Sequence, residues 1–291
     1  MPFRYRDEIK ELNDETRRTA DGSFIQLPDG VTHYELGGNE SGAVVVLIHG
    51  FSVPYFIYDP TFKFLTESGF RVLRYDLFGR GFSDRPASRY NIDLFVNQLH
   101  TLLDGLRFTR PVSLIGLSLG GIIASTFAVH HPDRVNKLVL IDSAGARPIS
   151  FTLMQRVAKL PLVAETILSL VRSGALIKSA SKDFFDPALV DHFMSRYMVQ
   201  LEYRGFRRAI LSTIRHGMLG SFIGTYKALG KMDKRVMLLW GRDDMTVPFE
   251  HSFDLRAAMP NVEFHAFENS GHIPHYEKPD EVNPRLLKFL R

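Results

Sequence analysis

The chain has 291 residues, 45% of them apolar and 23% charged, with a formal net charge of +4 and no cysteine. That length supports a large buried core, and zero cysteines exclude disulfides and thiolate metal sites. No run reaches the roughly 18 consecutive apolar residues of a membrane span. The charged start MPFRYRDEIKELNDETRR lacks the apolar stretch of a secretory signal, so a cytoplasmic protein without a transmembrane segment is expected.

In chain order, Ser23–Gly38 holds two strand-like halves around Pro28-Asp29-Gly30, a hairpin signal. AVVVLIHG (Ala43–Gly50) is a continuous β-branched run, as in a strand buried on both faces. Phe70–Gly79 reads as a strand ending in the turn-rich GRGFSDRP, and Asn91–Phe108 has mainly helical spacing. Pro111–Ser118 is a further buried strand, Leu119–Pro132 a helix stopped by proline, and Asn136–Gly145 another strand. Much later Arg235–Gly241 and Asn261–Phe267 supply two more, separated by a helical Glu250–Pro260. A last helix covers about Asp280–Leu290. Strands alternating with helices predict an α/β fold: a mostly parallel open sheet of about eight strands with helices on both faces.

The alternation breaks between about Arg147 and Lys234. A helical stripe of Leu153, Val157, Leu160, Ala164, Ile167 or Leu168, and Val171, interrupted by Pro161, precedes Phe184, Phe185, Phe193, Met194, Met198, Met218 and Phe222. It reads as a helical cap inserted before the last two strands, giving a core domain of residues 1–146 and 235–291 and a cap of 147–234. Residues 150–235 carry 14 lysines and arginines against 6 acids, an excess of +8 that leaves the remainder about −4. Solvated helix faces are the ordinary reading of such an excess, an anionic substrate or lipid surface the other. No nucleic-acid motif accompanies it.

Gly116-Leu117-Ser118-Leu119-Gly120 matches G-x-S-x-G with a strand before it and a helix after it, the context of a nucleophile elbow. Glycine on either side removes side chains that would collide with a serine held on a sharp turn. A serine hydroxyl needs a base, and His272 in GHIPHYEKP lies just beyond the carboxyl end of the last strand, where open α/β sheets collect catalytic groups. His33, His130, His131, His251 and His265 occupy hairpin, helix-end or strand positions that suit structural roles. His275 is the nearby competitor. WGRDDMTVP brings two acids, Asp243 and Asp244, to the same edge, and Asp142 ends LVLID there as well. In IHGF the Phe51 N–H is placed to join that of Leu119 as an oxyanion hole, and His49 is read as packing that loop.

These segments, IHGF, RYDLFGRGFSDRP, GLSLGG, WGRDDMTVP and GHIPHYEKP, resemble the α/β-hydrolase fold family in content and order, from Ser23 onward. The G-x-x-D pattern of that family selects Asp244 as the acid, three residues after Gly241. Asp142 stays as the rival, because some relatives place the acid after that strand. The implied triad is Ser118, Asp244 and His272, with no metal or organic cofactor. The serine separates the chain from dehalogenases and epoxide hydrolases, which use aspartate there. The chain is similar to carboxylesterases and monoacylglycerol-lipase-like enzymes, which implies a small-molecule substrate that is a short- to medium-chain acyl ester or monoacylglycerol-like; Phe51, Tyr55, Phe56 and the Phe- and Met-rich insertion read either as the lining of an apolar acyl pocket or as core under a lid. It is also similar to meta-cleavage-product hydrolases, which cut carbon–carbon bonds, and to the perhydrolase and haloperoxidase branch. It departs from the carbon–carbon hydrolases in HGFSVP, in Gly116-Leu117 where they carry Gly-Asn, and in Ile-Pro after His272. A ligand receptor on a hydrolase scaffold is the remaining alternative.

Overall fold

A computed structural model describes residues 5–149, 160, 162–170 and 174–291. The strands are β1 (Ser23–Leu27), β2 (Gly30–Gly38), β3 (Val44–Ile48), β4 (Arg71–Tyr75), β5 (Val112–Leu117), β6 (Val135–Ile141), β7 (Arg235–Gly241) and β8 (Glu263–Phe267). They form one eight-stranded sheet in the order β1-β2-β4-β3-β5-β6-β7-β8. β2 pairs antiparallel with β1 and β4, and the other five pairings are parallel.

The apolar runs form strands because both faces of the sheet are covered. Along β3, Val46 and Ile48 join one buried cluster while Val45 and Leu47 join the other; along β7, Val236, Leu238 and Trp240 face one way and Met237 and Leu239 the other. The first face is covered by helices Ile92–Gly105, Leu119–His130, Ile223–Leu229 and His251–Ala258. The second is covered by Asp59–Glu67, Val190–Leu201, Phe206–Arg215 and Pro279–Leu290. The sequence reading assigns no element between Gly50 and Phe70, yet a 3₁₀ turn (Tyr55–Tyr58) and the helix Asp59–Glu67 lie there. Its fully buried stripe is only Thr61 and Leu65, too sparse to register as a period, although Pro60 in the first turn marks its start.

Between β6 and β7 the described residues form no strand. They form helices Val163–Leu170, Gly174–Ala180, Val190–Leu201, Phe206–Arg215 and Ile223–Leu229. Leu153, Val157, Pro161 and Val171 of the expected stripe lie outside the described residues. Of the rest, Ala164 packs with Leu211 and Ile214, whereas Leu160 and Ile167 are exposed. Phe193, Met194 and Met218 are core, while Phe185 and Met198 face outward. The basic excess is not simply a solvated face. Arg207 pairs with Asp7 at 2.8 Å, and Arg204 and Arg196 pair with Glu11 and Asp59. The Arg204 and Arg196 pairs are half-exposed and contribute under about 1 kcal/mol each, whereas the Arg207 guanidinium is buried. Their consequence is orientation: a positive insertion meets a negative body. No helix among the described residues is long and apolar enough to cross a membrane.

Candidate active site

Parallel register brings four loop starts to one level. Leu117 aligns with Ile141, Ile141 with Leu239, and Gly241 with Phe267. Ser118 and Asp142 therefore leave β5 and β6 side by side, Asp244 follows β7 by three residues, and His272 follows β8 by five. The ladder extends past the strands, with Ser118 N–H donating to the Ile141 carbonyl and Asp142 N–H to the Leu239 carbonyl, both at 2.9 Å.

Ser118 sits at φ 54°, ψ −115°, immediately before the helix Leu119–His130. A side chain at 116 would put its Cβ 2.4 Å from the Gly120 carbonyl oxygen, and one at 120 would lie 2.1 Å from that of Ile48. Glycine at both positions thus lets the turn close and lets the helix abut the end of β3. Gly50 lies against the serine: a Cβ there would be 3.4 Å from Ser118 Cβ. The N–H groups of Phe51 and Leu119, on the two sides of this contact, form no hydrogen bond among the described residues.

His272 is 4% exposed, and its Nδ1 lies 2.7 Å from Asp244 Oδ2. Asp244 Oδ1 accepts the N–H groups of Thr246 (2.7 Å) and Val247 (2.8 Å), which fixes the carboxylate. Burial pulls the imidazole down, but the carboxylate opposite Nδ1 outweighs it, and the net shift of His272 is upward from 6.5. No hydrogen bond joins Ser118 Oγ to His272 Nε2 among the described residues. Resting hydrolase sites commonly tighten that bond only with substrate present. Asp243 faces solvent, its N–H donating to the Ser270 carbonyl at 3.0 Å. His275 is buried with no well-formed hydrogen bond, only a loose contact with the Ile57 backbone, and burial takes it to about 3. His49 packs the loop: its Nε2 accepts the Leu77 N–H and its Nδ1 faces the Gly50 carbonyl, each at 2.9 Å. Burial keeps it neutral at about 4.

Several groups escaped the sequence reading. Asp183, from the insertion, accepts the His272 N–H at its carbonyl (2.8 Å) and the Thr246 hydroxyl at Oδ1 (2.5 Å); burial raises it to about 6. Glu277 accepts N–H bonds from Phe185 (2.7 Å) and Asp186 (3.0 Å) at Oε1 and from Gly271 (2.7 Å) at Oε2. Its place five residues after His272 in GHIPHYEKP was the available signal. Arg80 is fully buried and forms no ion pair among the described residues. Its Nε donates to the Phe51 carbonyl (2.8 Å) and its Nη2 to Thr213 in the insertion (2.9 Å), and burial lowers it to about 10. Tyr55 and Phe56 line a cavity of about 210 Å³ with His33, Arg196, Gln200 and Tyr203. Ser118, Asp244 and His272 are not part of its wall.

An eight-stranded sheet, a serine on a glycine-flanked turn and a buried histidine–carboxylate pair define a hydrolase architecture. Residues 43–279 match the alpha/beta hydrolase fold family, and the chain belongs to it. Among curated relatives, 2-hydroxy-6-oxononadienedioate/2-hydroxy-6-oxononatrienedioate hydrolase 1 of Dechloromonas aromatica is 27% identical over 287 residues, covering 93% of this chain and 96% of that protein. Among solved structures, a meta-cleavage product hydrolase of Pseudomonas fluorescens IP01 superposes with a TM-score of 0.77 at 24% identity, covering 92% and 97% of the two chains. An esterase of Exiguobacterium antarcticum gives 0.74 at 21%, covering 92% and 99%. Both structural likenesses are likenesses of fold.

Proposed function

We propose that the protein is a Ser118-dependent hydrolase acting at a carbonyl carbon. Its substrate class is a 2-hydroxy-6-oxo dienoate ring-fission product, in which it cleaves a carbon–carbon bond. The observation that carries the chemistry is the buried His272–Asp244 pair, with Nε2 unengaged, at the sheet edge from which Ser118 emerges. The substrate class rests on the near full-length likeness to named dienedioate hydrolases, so the carbon–carbon reading replaces the ester expected from the motifs as the first choice.

In this reading Ser118 Oγ adds to the oxo carbon while His272 Nε2 takes the hydroxyl proton, and Asp244 stabilises the imidazolium. The Phe51 and Leu119 N–H groups hold the oxyanion, each such donor lowering the barrier by roughly 3 kcal/mol. Collapse breaks the carbon–carbon bond. This collapse takes place from the keto tautomer, in which the dienol proton has moved to the carbon next to the oxo group; the electron pair then passes into the 2-oxo-3-ene system as a dienolate, and His272 returns the proton. Water, deprotonated by His272, then releases the acyl group as a carboxylic acid, so one water is consumed per bond cleaved. Residues 147–234 serve as the cap over this edge, and 1–146 with 235–291 as the core. The ties from Asp183 and Phe185 to the histidine loop support that division.

Ester hydrolysis is the second reading, favoured by Leu117 before the serine and Ile273-Pro274 after the histidine. The deciding experiment compares kcat/KM for a dienoate ring-fission product and an acyl-chain ester series, in wild type and S118A. The dienoate is expected to lead by tenfold or more, with S118A down by roughly 10⁴-fold on either substrate. An ester lead installs the second reading, and near-normal S118A activity removes both.

A further inference from the structure

Asp142 leaves β6 one strand away from Asp244, and its surroundings are unusual for an aspartate. The residue is fully buried and held at φ 42°, a left-handed conformation that a non-glycine residue adopts only under constraint. Its Oδ1 accepts the Gly241 N–H at 2.9 Å, whereas its Oδ2, equally buried, has no hydrogen-bond partner. Carboxylate oxygens of Asp142 and Asp244 and a ring nitrogen of His272 all lie within 4.8 Å of one another. Asp244 already takes three N–H bonds, from Thr246, Val247 and His272. Two further carboxyls, Glu277 and Asp183, face this group, and no cation pairs with Asp142 among the described residues.

Two buried carboxylates within 4.8 Å of one another, with no cation paired to Asp142 among the described residues, disfavour both being ionised at once. Asp244 is the one whose two oxygens are already engaged as acceptors, by two backbone donors and the imidazole. Asp142 has one donor, one orphaned oxygen and an anionic neighbour. We infer that Asp142 is held as a neutral carboxylic acid that donates its Oδ2 proton to Asp244, a positioning residue that keeps the Asp244 carboxylate aimed at His272 Nδ1. The inference rests on the proposed triad. Burial first, and the Asp244 charge next to it, push the Asp142 carboxyl well above the ordinary range in agreement. In the observed backbone conformation, at φ 42°, the side chain reaches the Gly241 N–H with one oxygen and leaves the other on the side of Asp244.

The test follows the rate of Ser118 labelling by a fluorophosphonate as a function of pH, which needs no knowledge of the natural substrate. Wild type and S118A check the triad, and D142N and D142L check the inference. Asparagine keeps an acceptor for Gly241 and a donor for Asp244, while leucine keeps the volume and neither bond. If Asp142 is neutral, D142N removes no charge, so its acid limb stays within half a unit of wild type and its plateau rate exceeds that of D142L tenfold or more. An ionised Asp142 would instead be holding His272 protonated, and D142N would move the limb down by more than half a unit. That result, or equal rates for D142N and D142L, overturns the inference while leaving the triad standing. If D142L does not fold, the limb of D142N decides alone. Wild type that resists labelling, or S118A that accepts it, fails the triad and the inference with it.

Discussion

The molecule contains two histidine–aspartate pairs of nearly the same local geometry, His33–Asp76 on the β2–β4 side of the sheet and His272–Asp244 on the β7–β8 side. In each, Nδ1 lies 2.7 Å from Oδ2, and both histidines are buried. In each, burial lowers the imidazole and the carboxylate raises it by more. They differ at the other nitrogen. His33 Nε2 faces the Asp21 carbonyl at 2.6 Å, and the ring is stacked between Phe24 and Tyr55 at 4.8 and 4.9 Å. With oxygen on both sides, each nitrogen of that ring is placed to donate, and neither is left free to take up a proton. His272 Nε2 has no partner among the described residues. A histidine beside a carboxylate is therefore not in itself a catalytic device; the unengaged second nitrogen is what leaves His272 available for the role proposed for it.

Exchanging the two aspartates in turn sharpens that contrast. D244N is expected to have the largest effect, roughly 10⁴-fold on turnover, because an amide presents the wrong tautomer to His272. The acid limb of the pH–rate profile, expected above 6.5 in wild type, falls with it, since the carboxylate that raises His272 is gone. Equal turnover in D244N and wild type would break the comparison from this side.

D76N is expected to act on stability instead, costing roughly 3–5 kcal/mol in urea unfolding by leaving a buried imidazolium without its partner, with Ser118 labelling of the folded protein changed far less than by D244N. The pH dependence follows from the two shifts. His33 is raised, so its share is complete below about 6.5 and lost as pH rises through its folded value. Asp76 is lowered, so its share is present above about 3.8 and lost on acidification. The window between those values is where D76N and wild type should differ most; a constant difference from pH 4 to 9 would contradict the pairing.

The smallest effect belongs to His275, three residues from His272 and packed at a tilt of 40° against Tyr58, ring centroids 4.7 Å apart. Lowered to about 3, it withdraws stability as pH falls below 6.5, because the unfolded chain takes up a proton that the folded one refuses. H275F should flatten the fall in unfolding free energy between pH 6.5 and 4, by up to about 1.4 kcal/mol per unit. A slope as steep as that of wild type would show that this ring is not what the acid titrates.

The sheet was legible because strands such as VVVLI and VMLLW are apolar on both faces, a signal carried by consecutive residues. Ser118 was legible because its turn needs glycine two positions away on either side. Asp142 was legible as an acid at the sheet edge but not in its environment, since its partner Asp244 is 102 positions away and only the parallel register brings them together. Asp183 was invisible for the same reason, and Glu277 showed only its nearness to His272: the bonds they make to Thr246, Phe185 and Asp186 come from distant segments, and no local pattern announces them. The basic insertion was read correctly as an excess of charge, but its acidic complement at Asp7, Glu11 and Asp59 is contiguous only in the folded chain.

Glu277 carries a consequence for protein engineering. One carboxylate gathers amides from both sides, two from Phe185 and Asp186 and one from Gly271 beside the histidine. A chimera that grafts a foreign segment in place of residues 147–234 must supply two adjacent amides at that spot. Without them a carboxyl group five residues from His272 loses two of its hydrogen-bond donors, and a transplant chosen for new selectivity would arrive with a displaced histidine.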